Sequence, residues 1–552
     1  MQSTNEETLM TARKKSPASD LGPVELELFH NRFMAVAEEM GVVLEQSGFS
    51  PNIKERRDFS CALFDRNGDM AAHAAHIPVH LGSTPLSVRA AIDAVPMGPG
   101  DIVILNDPYA GGTHLPDVTL VAPVYLDGYD RPFAYVADRA HHADIGGSSP
   151  GSMPLATGIH EEGFRLPPVH LLRGGDWVRE TRELFLANTR VPEERLGDLD
   201  AQVAALRVGA ARTRELAERF GASTVENAMG AVQDYAQRLV TALLAKLPAG
   251  KHQAEDVLDD DGYGTRDIAL RVALQRQGRG ARSHLQVDFR GSDSQCRGPM
   301  NANLAITTSA VFYVIACVAG REVPANSGIL RAVSILTTPG SIVDCTFPSA
   351  VAAGNVETSQ RIVDVLLRAF AKILPEKIPA ASYGSMNNTA LGGYDQDRER
   401  WFSYYETIAG GAGAGPTRDG ASAIQTHMTN TLNTPIESLE AYYPLRVHRY
   451  GLRKNSGGKG KNRGGDGIVR EIEVLGEAKL TLLTERRRHA PWGLAGGDAA
   501  KRGRNTLVRN GRKSELPAKC SIELQAGDHV IIETPGGGGW GKIKTRAAKT
   551  RC

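Results

Sequence analysis

The stretch Asn106-Asp107-Pro108-Tyr109-Ala110-Gly111-Gly112-Thr113-His114-Leu115-Pro116-Asp117-Val118, with the later stretch Ala140-His141-His142-Ala143-Asp144-Ile145-Gly146-Gly147, decides how this chain is read. Both carry imidazole and carboxylate side chains, donors for hard or borderline divalent ions, set among glycines and prolines that force turns. His114 and Asp117 are three apart, yet Pro116 and the Gly111-Gly112 pair argue against a helix, so the two would converge through a tight loop. The second stretch must then come from an adjacent strand end. The run Phe133-Ala134-Tyr135-Val136-Ala137 reads as a buried strand, with His141 and Asp144 in the loop after it. A loop held by a rigid strand is a usual place for chemistry, and the pattern reads as a metal site.

The other histidines agree. Of the fifteen, His73, His76, His80, His114, His141, His142, His160 and His170 crowd into one region and the rest are scattered. His73, His76 and His80 read as supporting or structural groups rather than ligands. Asp107 and Asp144 are candidates to orient the ligating imidazoles, the alternative being carboxylates that cap turns. Glu161 and Glu162 could supply a general base, and in extended backbone only one of two neighbours can face the pocket.

Outward from these motifs the chain reads as α/β: several mixed α/β regions with a helical hairpin insertion and a β-rich C-terminal region. Leu26, Phe29, Phe33, Val36, Ala37, Met40, Val43 and Leu44 follow helical spacing, giving an amphipathic helix that ends near Gly48. Phe59 to Asp65 and Ile102-Val103-Ile104-Leu105 read as strands. These belong to a metal-site α/β region, residues 23–180, after a disordered tail, residues 1–22. Residues 181–260 form a helical region, a hairpin interrupted by Pro192 and Gly221. A second α/β region, residues 261–440, has strand character up to Gly291, then a turn at Asn301-Ala302-Asn303 and a buried helix. Residues 441–542 are β-rich, with strands at Ile468 to Leu475 and Lys479 to Leu483, and 543–552 form a tail.

With 552 residues and an apolar fraction of 41%, the chain has material for roughly three to four domains' worth of core. A formal charge of +1 gives no global bias toward nucleic acid or an anionic membrane surface. The basic runs Arg486-Arg487-Arg488 and Lys459 to Arg463 read as solvated faces. The longest apolar run, near Ala310 to Ala319, is too short to span a bilayer. Cys61, Cys296, Cys317, Cys345, Cys520 and Cys552 are widely spaced with no CxxC pair, which argues for reduced thiols. The polar start has no apolar segment of signal-peptide type. The expected compartment is the cytoplasm.

The glycine-rich segments invite a nucleotide reading. Gly536-Gly537-Gly538-Gly539-Trp540-Gly541-Lys542 nearly spells a phosphate-binding loop, but Ile543 stands where a Mg2+-binding Ser or Thr is required. Gly410 to Gly415 supplies no dinucleotide fingerprint. Its glycines would let loops approach the metal pocket or a neighbouring subunit closely.

The chain also resembles the hydantoinase B/oxoprolinase family, which includes subunits of N-methylhydantoinase, 5-oxoprolinase, caprolactamase and acetone or acetophenone carboxylases. The likeness is carried by Glu55 to Ala62, the two stretches above, Gly158-Ile159-His160-Glu161-Glu162-Gly163 and Gly354 to Arg361. It continues through Tyr405 to Gly411, His427 to Thr431 with Thr434 to Glu437, Arg463 to Gly467, and Thr534 to Gly541, spanning roughly residues 24 to 542. It implies a metal held by Asp58, His114, Asp117 and His141, the first of the His141-His142 pair being preferred. It also places Glu406 and His427 near the active region.

Mixed oxygen and nitrogen ligands with open positions suit Zn, Mn or Fe in a catalytic role better than a closed structural zinc. The resemblance further implies coupling to ATP hydrolysis. With no nucleotide site legible here, ATP would bind a hydantoinase A-type partner in a hetero-oligomer, the partner activating a small-molecule substrate. The leading reading is a subunit of an ATP-dependent cyclic-amide hydrolase. The alternatives are a ketone carboxylase subunit and a non-catalytic scaffold of the A-type partner, against which the four matched ligand positions count.

Overall fold

The computed structural model describes residues 21–543. The two expected tails therefore lie outside the described residues, apart from Leu21, Gly22 and Ile543.

Strands β1 (Phe59–Asp65), β2 (Met70–His73), β3 (Ile102–Leu105), β4 (Asp117–Val124), β5 (Ala134–His141), β6 (Val169–Arg173) and β7 (Asp176–Trp177) form one sheet in the order β2-β1-β5-β4-β3-β6-β7. Every pairing in it is antiparallel. β1, β4 and β5 are buried along their whole length, because both faces of the sheet are covered. Alternate side chains enter different cores, as the two-residue period of a strand requires. Phe59, Cys61 and Leu63 join Leu120 and Val136 on one face, packed against Phe29, Phe33 and Met40 of the helix Pro23–Ser47 and Leu199 and Leu206 of the helix Pro192–Phe220. Ala62 and Phe64 join Val121, Tyr135 and Ala137 on the other, packed against Val240 of Ala222–Lys246, Val311 of Leu304–Ala319 and Ile362 of Ser359–Ala371.

A second sheet, order β11-β10-β9-β8, contains β8 (Lys251–Asp260), β9 (Arg266–Gln277), β10 (His284–Asp288) and β11 (Val333–Leu336). β8 precedes residue 261, so strand character begins earlier than the sequence pattern suggests. The buried helix is present, and Asn303 caps it by accepting from the Ile306 N–H. The expected helical region is present as three helices, Arg179–Ala187, Pro192–Phe220 and Ala222–Lys246, divided at the two interruptions. Pro192 opens the second rather than breaking it, as a proline at the first helical position can. Gly221 alone, at φ 83°, joins the second to the third.

The remaining strands are β12 (Asn388–Asp395), β13 (Arg400–Glu406), β14 (Leu445–Arg453), β15 (Gly467–Val474), β16 (Ala478–Leu483), β17 (Arg504–Arg509), β18 (Arg512–Leu516), β19 (Lys519–Leu524) and β20 (His529–Glu533). They divide into a four-stranded sheet β13-β12-β16-β19 and a five-stranded sheet β14-β15-β20-β17-β18. The first draws strands from both sides of residue 440, so the second α/β region and the β-rich region share a sheet.

The glycine-rich segments pack on one another. Gly537, Gly538 and Gly539 donate their N–H groups to the carbonyls of Gly465, Ala381 and Asp498. A Cβ on Gly411 would stand 2.0 Å from the Gly465 carbonyl oxygen, and one on Gly537 would stand 1.9 Å from that of Ala412. Only glycine permits such backbone contact. Among the described residues no helix is long and apolar enough to cross a membrane, and Cys61, Cys296, Cys317, Cys345 and Cys520 are free.

Candidate metal centre

The ends of three neighbouring strands meet at one place. Asp117 opens β4 and His141 closes β5, and the two are directly paired in register. Asp58 immediately precedes β1, and its carbonyl accepts the His141 N–H at 2.9 Å. His141 is thus the last strand residue rather than part of the following loop. His114 lies in the tight loop expected for it, its carbonyl accepting the Asp117 N–H at 3.1 Å.

His114, Asp117 and His141 are buried, and each offers a donor atom within 4.8 Å of the others. His114 Nε2 stands 3.2 Å from Asp117 Oδ1, and the two imidazole centroids are 5.1 Å apart. Among the described residues, both nitrogens of His114, Asp117 Oδ1 and His141 Nε2 have no hydrogen-bond partner. Buried polar atoms are normally paired, so unmet donors and acceptors converging from three side chains fit a bound cation. Asp117 Oδ2 is occupied instead, by the Thr113 hydroxyl, by Asn355 Nδ2 at 3.5 Å and by His80 Nε2 at 3.4 Å. His80 therefore supports a candidate ligand, as its position suggested.

Burial alone would raise the Asp117 carboxyl, but the His114 and His80 imidazoles beside it hold it well below the usual carboxylate range. Burial drives His141 well below the ordinary imidazole value, and His114 beside it adds to this. An anionic carboxylate beside a neutral imidazole is the protonation that metal ligation needs.

Asp58 lies outside that trio but lines the same small recess, with Asp117 and His141. Burial raises its carboxyl to about 6, against the opposing pull of Arg56. His142 points elsewhere. Its Nε2 lies 2.9 Å from Gln202 Oε1 and its ring meets Phe185 edge-on.

The other candidates do not reach the recess. Asp107 accepts the Tyr109 N–H and lies 3.4 Å from Arg165, which is the turn-capping arrangement. Asp144 accepts from the Gly146, Gly151 and Arg190 backbones and from the Arg190 guanidinium at 2.8 Å. Neither carboxylate serves an imidazole of the trio. Glu161 and Glu162 sit in a single helical turn, Ile159–Glu162, rather than in extended backbone. Glu161 is exposed and accepts from Thr157. Glu162 is buried and accepts the Val351 and Ala352 N–H groups at 2.8 Å. Glu406 forms a buried two-point ion pair with Arg470 at 3.0 Å. His427 is held between Tyr313 and Asp364. Of the Arg486-Arg487-Arg488 run only Arg488 is a solvated side chain, because Arg486 is buried and bonds Asp256 and Asp364 at 2.8 Å while Arg488 is 47% exposed.

Several residues singled out by nothing local complete the site. Asn52 Nδ2 lies 3.1 Å from His141 Nδ1, while Asn52 Oδ1 accepts from Arg56 Nη1 at 3.0 Å. Tyr405 stacks on His141, and the one-turn π-helix Gly354–Thr358 carries Asn355 to Asp117, a local widening often found at functional sites. Thr407 and Thr429 give the recess hydroxyl groups, and Ile77, Val79, Val356, Met386 and Met428 give it apolar walls. The motif segments around 355, 405 and 429 were the only sequence signal for them.

The profile of the Hydantoinase B/oxoprolinase family matches residues 22–543. The chain belongs to the hydantoinase B/oxoprolinase family. Among family relatives, 5-oxoprolinase 1 of Arabidopsis thaliana is 38% identical over 94% of this chain, which covers 42% of the plant protein. The chain thus spans less than half the length of that relative. A Pseudomonas protein provisionally named as a D-/L-hydantoinase component is 30% identical, with 94% and 90% of the two chains covered. The crystal structure of an ATP-dependent caprolactamase from Pseudomonas jessenii superposes with a TM-score of 0.87 at 27% identity, covering 96% of this chain and 93% of that one. A nucleotide-free acetone carboxylase structure, 17% identical with a TM-score of 0.85, shares the fold over 94% of this chain and 76% of its own.

Proposed function

We propose that this chain is the metal-binding catalytic subunit of an ATP-dependent cyclic-amide hydrolase of the hydantoinase, 5-oxoprolinase or lactamase type. It would act on an intermediate activated by an A-type ATP-binding partner. The observation that carries this reading is the convergence of unpaired atoms of His114, Asp117 and His141 beside the recess. A scaffold would not need to leave them unmet.

The group that fits these donors is a divalent Zn, Mn or Fe ion held by His114, Asp117 and His141 with Asp58 at the wall, and when bound it supplies Lewis-acid polarisation. The chain's own residues do the rest. Tyr405 and Asn52 fix the His141 ring, His80 and Thr113 fix the Asp117 carboxylate, and the Thr429 hydroxyl in the wall can hydrogen-bond a polar substrate. The apolar walls limit water around the reacting amide. Asp58, in the wall of the recess, is the carboxylate placed to join the ligands or to hold a proton beside the substrate.

ATP on a partner is supported by two observations. The glycine-rich C-terminal segment spends its N–H groups on backbone carbonyls, leaving none to cradle phosphate. The plant 5-oxoprolinase carries more than half its length beyond the part matched here, room for a nucleotide-binding half. Carboxylation of a ketone is the alternative, supported by likeness of fold alone.

The test mixes the chain with its partner and follows phosphate release and ring-opened product together. Asp117→Asn keeps the shape but removes the charge, so product should vanish while the partner's ATP turnover persists in part. Survival of both would remove Asp117 from the machinery. Loss of both in an assembled complex would show that the two steps are not divided between the chains.

A further inference from the structure

We propose that His448, Glu473 and His529 form a second cation site, for a borderline divalent transition ion such as Zn2+, on the outer face of the C-terminal five-stranded sheet. The three side chains come from β14, β15 and β20, which run side by side, and each offers a donor atom within 4.8 Å of the others. Glu473 and His529 are directly paired across β15 and β20, so register alone puts them on one face. His448 joins them because the β14–β15 ladder slips between Val447 and Arg449. A bulge of this kind re-aims a side chain, and here it brings His448 Nε2 to 2.7 Å from Glu473 Oε2. The two imidazoles then face one another, centroids 4.7 Å apart and planes 31° apart.

A second carboxylate supports the arrangement. Glu471 Oε1 lies 3.0 Å from His529 Nδ1, so that nitrogen donates and the Nε2 lone pair is left free, the usual support for a ligating imidazole. An ion bound by both groups takes the place of the His448–Glu473 hydrogen bond, the Nε2 proton leaving as the metal binds. Two imidazoles and one carboxylate select zinc-like ions over Ca2+ or Mg2+, which take oxygen donors. His448 is 40% exposed, so an ion can enter without unfolding. The competing cation is Arg446, whose Nη1 lies 3.5 Å from Glu473 Oε2 on a side chain 54% exposed, free to swing aside.

The site has a structural consequence. β14 is the edge of its sheet and carries exposed Tyr450 and Leu452. An edge strand is open to pairing with another chain, and an ion joining β14 to β20 across β15 would pin it in place.

The experiment is equilibrium dialysis of the full chain against Zn2+ with elemental analysis, in a His114→Ala background that weakens the buried centre. We expect one equivalent to remain there, weakened about tenfold or more by His448→Ala and, separately, by His529→Ala. Excess Mg2+ should not displace it. Zn2+ should also raise the Tm of the His114→Ala protein and leave that of the His114→Ala/His448→Ala protein unchanged. Because His448 is exposed, its removal should leave the fold intact, which circular dichroism checks. Equal Zn2+ uptake with and without His448, or equal Tm shifts, would overturn the proposal.

Discussion

Tyr405 lies flat against His141, with ring centroids 4.7 Å apart and planes 4° apart, joining β13 to the last residue of β5. The tyrosine hydroxyl donates to Asn388 Oδ1 at 2.6 Å, and the Arg56 guanidinium stands 4.9 Å from its ring. The ring that orients a candidate ligand is thus itself fixed from two directions. Tyr405→Leu should weaken metal retention about 10–100-fold, the range for losing a ligand's support, while Tyr405→Phe keeps the stack and should retain the metal. Elemental analysis after a graded chelator challenge checks this. Full retention by the leucine variant would mean that His141 needs no stacking partner.

Asn52 makes a sharper case. Its amide nitrogen faces His141 Nδ1, whereas coordination through Nε2 requires a proton on Nδ1 and an acceptor opposite it. Asn52→Asp supplies that acceptor and keeps a partner for Arg56, so it should hold the metal more tightly than the wild type. Asn52→Leu should hold it less tightly. The same chelator series ranks the three proteins, and an aspartate variant that binds more weakly than wild type would show that His141 does not ligate through Nε2.

The isolated chain should neither bind ATP tightly nor hydrolyse it, because the N–H groups of Gly537, Gly538 and Gly539 are already taken. Titration calorimetry of ATP with Mg2+ into the purified protein should give no heat of micromolar binding. A clear isotherm would place a nucleotide site on this chain and remove the need for a nucleotide-binding partner.

Glu162 predicts a pH dependence of stability away from the metal centre. Burial raises its carboxyl from 4.5 to about 8, with the hydrogen bonds from Ala352 and Val351 opposing. The folded state holds the proton more strongly than the unfolded chain, so this contribution is fully present below pH 4.5. It is lost as pH rises toward 8, at up to about 1.4 kcal/mol per unit. Glu162→Gln mimics the protonated form and should remove that slope. Denaturant melts of both proteins from pH 5 to 8.5 would show the variant gaining on the wild type as pH rises, and parallel curves would mean that Glu162 is ionised in the fold.

Short-range chemistry is legible in the amino-acid order alone. Strand character in Phe59–Asp65 and Ile102–Leu105, the helix ending at Gly48, the Asn303-led buried helix and the tight His114–Asp117 loop all follow from apolar periodicity and turn residues. Which partner each polar group meets was settled only when the chain folded. Asp107 and Asp144 look like His114 and Asp117 in sequence, yet they spend their carboxylates on neighbouring backbone. Arg486 reads as solvated until Asp256 and Asp364 are brought to it. Asn52, Asn355 and Tyr405 reach the centre from helix and strand ends far apart in the chain, and no local pattern encodes that meeting. A buried polar atom must find a partner, and strand register and packing across the whole core set which one it finds.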